Sequence, residues 1–306
     1  MIDIIIPAYN SHKTIRKTLL SIAKQDNIED IKTYIVNDCS KKDYSEEVNT
    51  FKNLMFIEEI DLPVNSGPGA AREYGVEHTD SEFIIFMDSD DLFYADDSCK
   101  KLRDAIEGYD MSKGGIIEDR GDGTNIEDYE DEYSLHGKLY RRSIIKKNKI
   151  KFDPFRSKEA NAHEDNSYNN LYELCCDKIN KIYDLVYKYE YNIDSITKTE
   201  ISQVKGMENY IRAMEWLADE VEKRKIKNKA DIERRFAFVI TYCFFTYLCD
   251  PDNYEFMFKK MSKIKKIYDK YYVDIEYRKL VEIYNMFKYP VIPYMTIYEF
   301  ISRIED

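Results

Sequence analysis

Three aspartates stand within the four residues Asp88-Ser89-Asp90-Asp91, directly after the strand-like run Glu82–Met87. Carboxylates at positions i and i+2 just past a strand can converge on one hard cation, which prefers oxygen ligands. Such a cation can bridge the phosphates of a bound nucleotide and neutralise the charge that develops when a diphosphate leaves. The motif therefore predicts a metal site with Asp88 and Asp90 as ligands, although a plain acidic turn before the next helix has the same sequence.

Glycines interrupt the segment Asn65–Arg72, which reads Asn-Ser-Gly-Pro-Gly-Ala-Ala-Arg. Gly67 permits a tight turn and a close approach of the backbone to a ligand. The helix predicted to follow offers free N–H groups and a dipole that favour phosphate, and Arg72 lies one to two turns into it. The segment fits a diphosphate site, and it equally fits an ordinary strand-to-helix turn with a surface arginine.

Two shorter polar groups follow the first two predicted strands: Pro7-Ala8-Tyr9-Asn10 and Asn37-Asp38. Tyr9 can stack on a base, and Asp38 can accept a hydrogen bond from a base N–H or a ribose hydroxyl. Helix capping by Asn10 and a turn at Asp38 are the alternatives. Each group is therefore a weak signal when it is taken alone.

The tripeptide His163-Glu164-Asp165 is a fourth candidate. A single displacement at a sugar carbon needs one carboxylate to take the proton of the acceptor hydroxyl, and His163 can help to hold a metal or a phosphate. The alternative is that the three residues simply begin a helix, whose dipole favours acidic side chains there. A further polar group comprises His136, Lys138 and Tyr140. These side chains can touch an acceptor molecule or the diphosphate of a bound nucleotide, or they simply form a surface turn before a helix.

Strand and helix signals alternate through the first third of the chain. Apolar, β-rich runs predict strands at Ile2–Pro7, Thr33–Asn37, Leu54–Ile60 and Glu82–Met87. Helical spacing predicts helices at Thr14–Lys24, with Ser11 as its N-cap, and at 43–53, Ala70–Glu77 and Asp96–Glu107. This alternation indicates a doubly wound α/β sheet. Because such sheets bind ligands at the carboxyl ends of their strands, we expect the candidate groups to share one site.

The rest of the chain comprises an irregular stretch and a helical stretch. The irregular stretch is predicted to hold a β-hairpin at 113–126, an acidic solvated loop at 127–132, helices at Leu139–Asn148 and His163–Leu174, and one or two strands at Ile179–Tyr191. Amphipathic spacing then predicts helices at 202–225, 229–249, 253–271, 274–288 and 296–304. We therefore expect two domains, residues 1–198 and residues 199–306.

The charge of the 306-residue chain is negative and uneven, with a net value of −12. Residues 1–200 carry 27 Lys and Arg against 41 Asp and Glu, whereas residues 201–306 carry 19 against 17. An acidic first part argues against a general nucleic-acid binder, which needs a basic surface. Hydrophobic residues make up 43% of the chain, a value typical of globular proteins.

Six scattered cysteines, with no CxxC pair, argue against a structural zinc site and a disulfide framework and fit a reducing compartment. The opening MIDIIIPAYN lacks the pattern of a signal peptide, and no run of about 18 apolar residues would span a bilayer. We therefore expect a cytoplasmic protein. The lysine-rich segment Phe258–Tyr272 is expected to be a core-facing helix with a basic outer face, or else a peripheral contact with anionic lipid or a polyanion.

Taken in order, these motifs resemble those of family 2 glycosyltransferases of the GT-A fold, the type found in bacterial surface-polysaccharide synthesis. The resemblance rests on IIIPAYN at 4–10, VNDCS at 36–40, NSGPGAAREYG at 65–75 and FMDSDD at 86–91. It continues with HGKLYRRSII at 136–145, HEDNSYNN at 163–170 and YKYEYNIDSITK at 187–198. It implies a GT-A nucleotide-binding sheet flanked by helices, followed by an all-helical C-terminal region.

For the donor, the resemblance implies that Pro7, Tyr9 and Asp38 hold the nucleotide base and the ribose. The donor would be a nucleotide sugar, in most cases a UDP-sugar. Asn37 and Cys39 depart from the family, in which Asp and Gly are common at these two positions. The preferred base therefore stays open.

For the reaction, the resemblance implies that Arg72 lies near the base or the diphosphate and that Asp88 approaches the ribose and the metal. Asp90 would be the main metal ligand, and Asp165 would be the catalytic base. The cation would be Mn²⁺ or Mg²⁺, and the configuration at the anomeric carbon would be inverted.

The main hypothesis is a metal-dependent, inverting hexosyltransferase that acts on a hydroxyl of a glycan or a lipid-linked glycan. One alternative changes the acceptor to hydroxylated bases in DNA, as in some phage-encoded glycosyltransferases, and the acidic charge balance argues against it. Another alternative is a catalytically inactive protein that binds nucleotide sugars. The presence of Asp88, Asp90 and Asp165 argues against inactivity.

Overall fold

The computed structural model describes residues 1–154, 163–192, 203–271 and 297–305. The chain divides into two compact units, one formed by Met1–Ala160 and Glu164–Thr199 and the other by Asn161–His163 and Glu200–Asp306. The boundary predicted after residue 198 falls outside the described residues.

Four parallel strands form one half of the sheet of the first unit, in the order β3-β2-β1-β4. They are β1 (Ile2–Ala8), β2 (Ile31–Asn37), β3 (Phe56–Asp61) and β4 (Phe83–Phe86). Every residue of β1 and of β4 is buried. Burial on both faces explains why these strands read as continuous apolar runs and not as alternating patterns.

The other half of the sheet is mixed. Its strands are β5 (Leu92–Phe93), β6 (Met111–Asp119), β7 (Asn125–Asp128), β8 (Lys138–Arg141) and β9 (Ile179–Tyr189). β8 pairs antiparallel with β4 and β6, β9 pairs parallel with β6 and antiparallel with β5, and β7 forms a hairpin with β6. The α/β class is confirmed, but the predicted parallel sheet extends only as far as β4, because the next strand beside it, β8, runs antiparallel to it.

The helices of the first unit are α1 (Ile15–Ala23), α2 (Ser45–Phe51), α3 (Pro68–His78), α4 (Ser98–Ala105), α5 (Arg142–Asn148) and α6 (Glu164–Leu174). Thr14, and not Ser11, is the N-cap of α1, and Ser11 contributes only its carbonyl, which accepts the Ile15 N–H at 3.0 Å. The helix predicted at Leu139–Asn148 is confirmed from Arg142 onward as α5, whereas residues 139–141 belong to β8. Pairing with β4 and β6 buries Leu139 and Tyr140 completely, and this tertiary burial outweighs the local helical pattern.

The helix α3 lies very close to β1 and β2. A Cβ atom at Gly75 would lie 2.6 Å from Cγ2 of Ile5 and 3.0 Å from Cγ2 of Val36. Glycine therefore allows a helix–sheet approach that no larger side chain would permit. This approach fixes α3, and the residues it carries, against the strands that precede the candidate site.

The second unit is helical in its described part. Its helices are α7 (Gln203–Arg224), α8 (Lys229–Cys249), α9 (Pro251–Tyr254), α10 (Met257–Lys260), α11 (Ser262–Tyr271) and α12 (Ile297–Arg303). Three short helices thus replace the single helix predicted at 253–271, and the helix predicted at 274–288 lies outside the described residues. Among the helices that the structure describes, none combines the length and the apolar character needed to cross a bilayer.

Lysines of α10 and α11 face acidic side chains of α7. The ion pairs are Lys260–Glu208 at 2.9 Å, Lys263–Asp219 at 2.5 Å and Lys266–Glu222 at 3.2 Å. The opposite face of α11 is buried through Ile264, Ile267 and Tyr268. This arrangement supports the interpretation of a core-facing helix, since these lysines already have anionic partners within their own unit.

Candidate active site

Asp38 and the glycine-rich segment meet at the carboxyl end of β2. Asp38 is buried, and its two carboxylate oxygens accept the backbone N–H groups of Ser66 at 2.6 Å and Gly67 at 2.8 Å. Gly67 has a φ of 87°, in the region that favours glycine. Asp38 therefore holds in place the turn from which α3 begins.

Tyr9 and Pro7 differ in exposure although both belong to the end of β1. Pro7 lies within the strand and is buried, whereas Tyr9 follows it with 52% of its surface exposed. The Asp38 N–H donates to the Ala8 carbonyl at 2.9 Å, so the segments that carry Asp38 and Tyr9 lie side by side. The exposed ring at this edge is accessible for stacking against a planar group.

The two departures from the family pattern have different local settings. The Asn37 amide donates to carboxylate oxygens of Glu59 at 3.0 Å and Asp61 at 2.9 Å. An aspartate at position 37 would place a third negative charge beside these two, which is unfavourable. Cys39 has a φ of 62°, so the backbone there keeps a conformation that glycine prefers.

Asp88, just past β4, lies between two basic side chains. Nη2 of Arg72 is 2.6 Å from one carboxylate oxygen, and Nε2 of His136 is 3.2 Å from the other. Burial raises the pKa of Asp88, but Arg72 and His136 outweigh burial and hold that pKa well below its usual range. Burial lowers the pKa of His136, and Asp88 raises it by more. The pair therefore favours an ionised Asp88 beside a cationic or hydrogen-bonded His136.

Asp90 and Asp91 have different surroundings. Asp91 is 1% exposed and accepts the Tyr187 hydroxyl at 2.7 Å and the Glu190 N–H at 3.0 Å. Burial raises the pKa of Asp91 to about 8. Asp90 is only partly buried and accepts a hydrogen bond from the Asn192 amide at 2.8 Å. Asp91 thus ties the loop after β4 to β9, whereas Asp90 is more accessible to a ligand.

A candidate cation site includes one of these two aspartates, Asp91. In the described part of the chain, ligand atoms from three side chains all lie within 4.8 Å of one another: Asp88, Asp91 and His136. Carboxylates suit Mg²⁺ and Mn²⁺, and imidazole suits transition-metal ions. The donor set therefore fits a divalent ion, and it differs from the predicted set of Asp88, Asp90 and His163.

His163 is placed in the second unit. Its ring lies edge-on to that of Tyr210, with the centroids 5.3 Å apart. His136 was indicated by the sequence only as a group that can touch the acceptor or the diphosphate. Its contact with Asp88 joins residues 48 positions apart, and spacing along the chain carries no signal of such a contact.

Glu164 and Asp165 form the first turn of α6. Glu164 is buried, with its carboxylate 3.5 Å from Nη1 of Arg72, and burial together with the charge of Asp165 raises its pKa to about 7. Asp165 is half-buried and accepts the Asn166 N–H at 2.7 Å. Burial lowers the pKa of Arg72, but the carboxylates of Asp88, Glu164 and Asp165 raise it by more. Arg72 therefore brings the loop after β4 and the start of α6 together.

A buried polar network joins the segment before His136 to α6. Lys138 is 1% exposed and forms an ion pair with Asp131. The Asn169 amide of α6 donates to the Glu132 carbonyl at 2.8 Å. The prediction of a solvated loop at 127–132 is therefore wrong at Asp131, because the buried ammonium of Lys138 requires a counter-charge.

Replacing Asp131 with asparagine is expected to lower the free energy of unfolding by about 3–5 kcal/mol, as when a buried ion pair loses one partner. The ammonium of Lys138 would stay buried without its counter-charge. Urea unfolding at neutral pH measures the effect. Glu130→Gln is the control, because it removes an exposed partner of Lys181 in the same segment and should cost less than about 1 kcal/mol.

The acid dependence of stability tests the same pair. Burial raises the pKa of Asp131, but Lys138 outweighs burial and holds it below the ordinary value of 3.8. A carboxyl group of this kind contributes stability above its unfolded pKa and loses it as the pH falls. Between about pH 5 and pH 3 the D131N variant should lose less stability than the wild type. Equal losses would contradict the ion-pair assignment.

The sequence of the chain matches one protein family model and several related proteins. The model of the family described as glycosyl transferase family 2 matches residues 3–163. Over 207 residues the chain is 27% identical to the poly(ribitol-phosphate) beta-N-acetylglucosaminyltransferase TarS of Staphylococcus aureus strain Mu50, covering 61% of this chain and 35% of TarS. Over 266 residues it is 31% identical to a poly(ribitol-phosphate) beta-glucosyltransferase of Bacillus spizizenii, covering 78% of this chain and 40% of the relative. The chain thus spans about a third of the length of TarS.

A solved structure of a related protein has the same fold. The crystal structure of residues 1–349 of S. aureus TarS in complex with UDP-GlcNAc superposes with a TM-score of 0.65 at 21% sequence identity. The match covers 94% of this chain and 80% of that chain. A likeness at this level of identity concerns the fold, and the chemistry has to be argued from the side chains.

Proposed function

The chain belongs to glycosyl transferase family 2, and from this membership we propose that it transfers a sugar from a UDP-sugar to a hydroxyl of a glycan or a lipid-linked glycan. The reaction would depend on a divalent cation and would invert the anomeric carbon. The observation that carries the proposal is the placement of Arg72 between Asp88 and the Glu164-Asp165 pair. Arg72 thus joins the loop proposed to bind the cation to the segment that carries the proposed general base.

The donor side of the site is formed by Tyr9, Asp38 and the turn at Gly67. Tyr9 is exposed for stacking on the base, and the turn at Gly67 leads into α3, whose first N–H groups favour phosphate. Within the described part of the chain, the buried Nε of Arg72 has no hydrogen-bond partner. Because an unsatisfied buried donor is costly, a diphosphate oxygen there would be stabilising. The TarS complex with UDP-GlcNAc supports a uridine nucleotide as donor.

A bound Mn²⁺ or Mg²⁺ would neutralise the charge that develops on the departing diphosphate. Asp88 would hold it together with Asp90, or together with Asp91 and His136. Arg72 would add a fixed positive charge beside the same carboxylate, at 2.6 Å from Asp88. Such preorganised charges stabilise the transition state without reorganisation during the reaction.

Asp165 would act as the general base. Its carboxylate would take the proton of the acceptor hydroxyl while the hydroxyl oxygen forms the new bond to the anomeric carbon. The bond from that carbon to the diphosphate oxygen would break on the opposite face, and the diphosphate would leave with the electron pair. One displacement of this kind inverts the configuration at the anomeric carbon.

The alternative functions have less support. A DNA acceptor would have to approach a first part of the chain that carries 27 basic against 41 acidic residues. Peripheral membrane contact through α10 and α11 would compete with the ion pairs that their lysines make with α7. An inactive binding protein would not need Asp165 beside Arg72.

Donor binding tests the proposal directly. A UDP-sugar at about 100 times its Kd, with Mn²⁺ present, should raise the free energy of unfolding by about 2.7 kcal/mol. Thermal unfolding with UDP-, GDP- and ADP-sugars, each with and without Mn²⁺, measures this effect. Uridine is the control because it lacks the diphosphate and should stabilise much less. No shift with any nucleotide sugar in the presence of Mn²⁺ would overturn the proposal.

A further inference from the structure

Glu164 is a buried carboxylate beside the proposed base, and the reaction described above gives it no task. We infer that Glu164 is a positioning residue: through Arg72 and Gly69 it fixes the first turn of α6, and with it Asp165, relative to Asp88. This inference rests on the proposed function, because it assigns Glu164 a task in the same reaction.

The first connection runs through Arg72. One guanidinium nitrogen of this side chain lies 2.6 Å from Asp88, and the other lies 3.5 Å from Glu164. The guanidinium is planar and rigid, so two carboxylates bound to its two ends are held at a set separation. The side chains of Arg72 and Glu164 are only 6% and 11% exposed, so water competes little for these contacts.

The second connection is the contact between Glu164 and Gly69. A Cβ atom at position 69 would lie 2.8 Å from Cγ of Glu164 and 3.6 Å from its Cβ. The φ of Gly69 is not in the left-handed region, so glycine is needed at this position for space and not for conformation. The side chain of Glu164 therefore lies directly on the first turn of α3, which also carries the proposed phosphate-binding N–H groups.

These contacts hold one end of α6, and a separate contact holds the other end. The Tyr172 hydroxyl accepts the Arg141 N–H of β8 at 2.8 Å. With the later turns of α6 held against the sheet, the contacts of Glu164 with Arg72 and Gly69 hold the first turn, and with it Asp165. A general base that is misplaced by about 1 Å costs about 10²-fold in rate.

The test is a set of variants at positions 164, 69 and 165. Glu164→Ala should lower kcat by about 10²-fold. Glu164→Gln keeps an oxygen acceptor for Arg72 and should retain at least about a tenth of the wild-type kcat. Glu77→Ala is the matched control. Glu77 is an exposed residue of α3 that pairs with Lys151, and its loss should leave kcat unchanged.

A double variant distinguishes a positioning role of Glu164 from a general loss of structure in the active site. In a protein that already carries Asp165→Asn, the additional change Glu164→Ala should lower kcat by far less than it does in the wild type, because there is no base left to position. A loss that multiplies in the double variant would overturn the inference. Near-normal turnover of Asp165→Asn alone would instead contradict the proposed function, so the two failures can be told apart.

Gly69→Ala gives a second route that does not alter Glu164 itself. The added methyl should displace the Glu164 side chain and lower kcat, whereas with Glu164→Ala present the same methyl should have little further effect. If Glu164→Ala does not fold, the Glu164→Gln and Gly69→Ala variants carry the test. Full activity in both would overturn the inference.

Discussion

Replacing Asp165 with asparagine is expected to lower kcat by about 10²–10⁴-fold, the usual contribution of a general base. Asparagine has nearly the same shape and can still accept the Asn166 N–H, so the start of α6 should keep its structure. The amide cannot take the proton of the acceptor hydroxyl. The donor dissociation constant should therefore stay nearly unchanged while turnover falls.

The measurement is the rate of UDP release with a saturating donor, alongside donor binding by calorimetry. Asp104→Asn is the control, since Asp104 is an exposed aspartate on α4 that pairs with Lys100. The pH profile is a second readout, because a general base must be deprotonated to act, so the fall in rate on the acid side that this base causes should disappear when it is removed. Near-normal turnover by the D165N variant would exclude this residue as the base.

Replacing Asp90 with alanine is expected to abolish the part of donor binding that depends on Mn²⁺. Asp91 is 1% exposed and already accepts hydrogen bonds from Tyr187 and Glu190. Asp90 is more accessible, and a cation that also touches the donor phosphates must reach an accessible carboxylate. Asp90 is therefore the expected partner of Asp88 in holding the ion.

The comparison that decides between the two ligand sets is Asp90→Ala against His136→Gln. Thermal unfolding with UDP, with and without Mn²⁺, measures the stabilisation that the cation adds. We expect Asp90→Ala to remove that stabilisation and His136→Gln to retain most of it. The reverse result would assign the cation to Asp88, Asp91 and His136, the group whose ligand atoms lie within 4.8 Å of one another.

The sequence by itself determined the α/β class and the strands β1 to β4 of the first unit. This was possible because the deciding signals are local. A strand buried on both faces needs a continuous apolar run, as in Ile2–Ala8, and the polar residues that follow such strands must lie at one edge of a parallel sheet. The glycine turn at Gly67 and the helix after it also follow from short-range chemistry.

The tertiary structure alone decided which charged groups meet. Arg72 and Glu164 are 92 positions apart, and His136 and Asp88 are 48 apart, so no periodicity relates them. Asp131 lies in an acidic run that is typical of a solvated loop, yet its side chain is only 14% exposed because it pairs with the buried Lys138. The same holds for residues 139–141, where pairing with β4 and β6 outweighs a local helical pattern. Contacts of this kind depend on where the chain returns to the sheet, and local sequence does not encode that position.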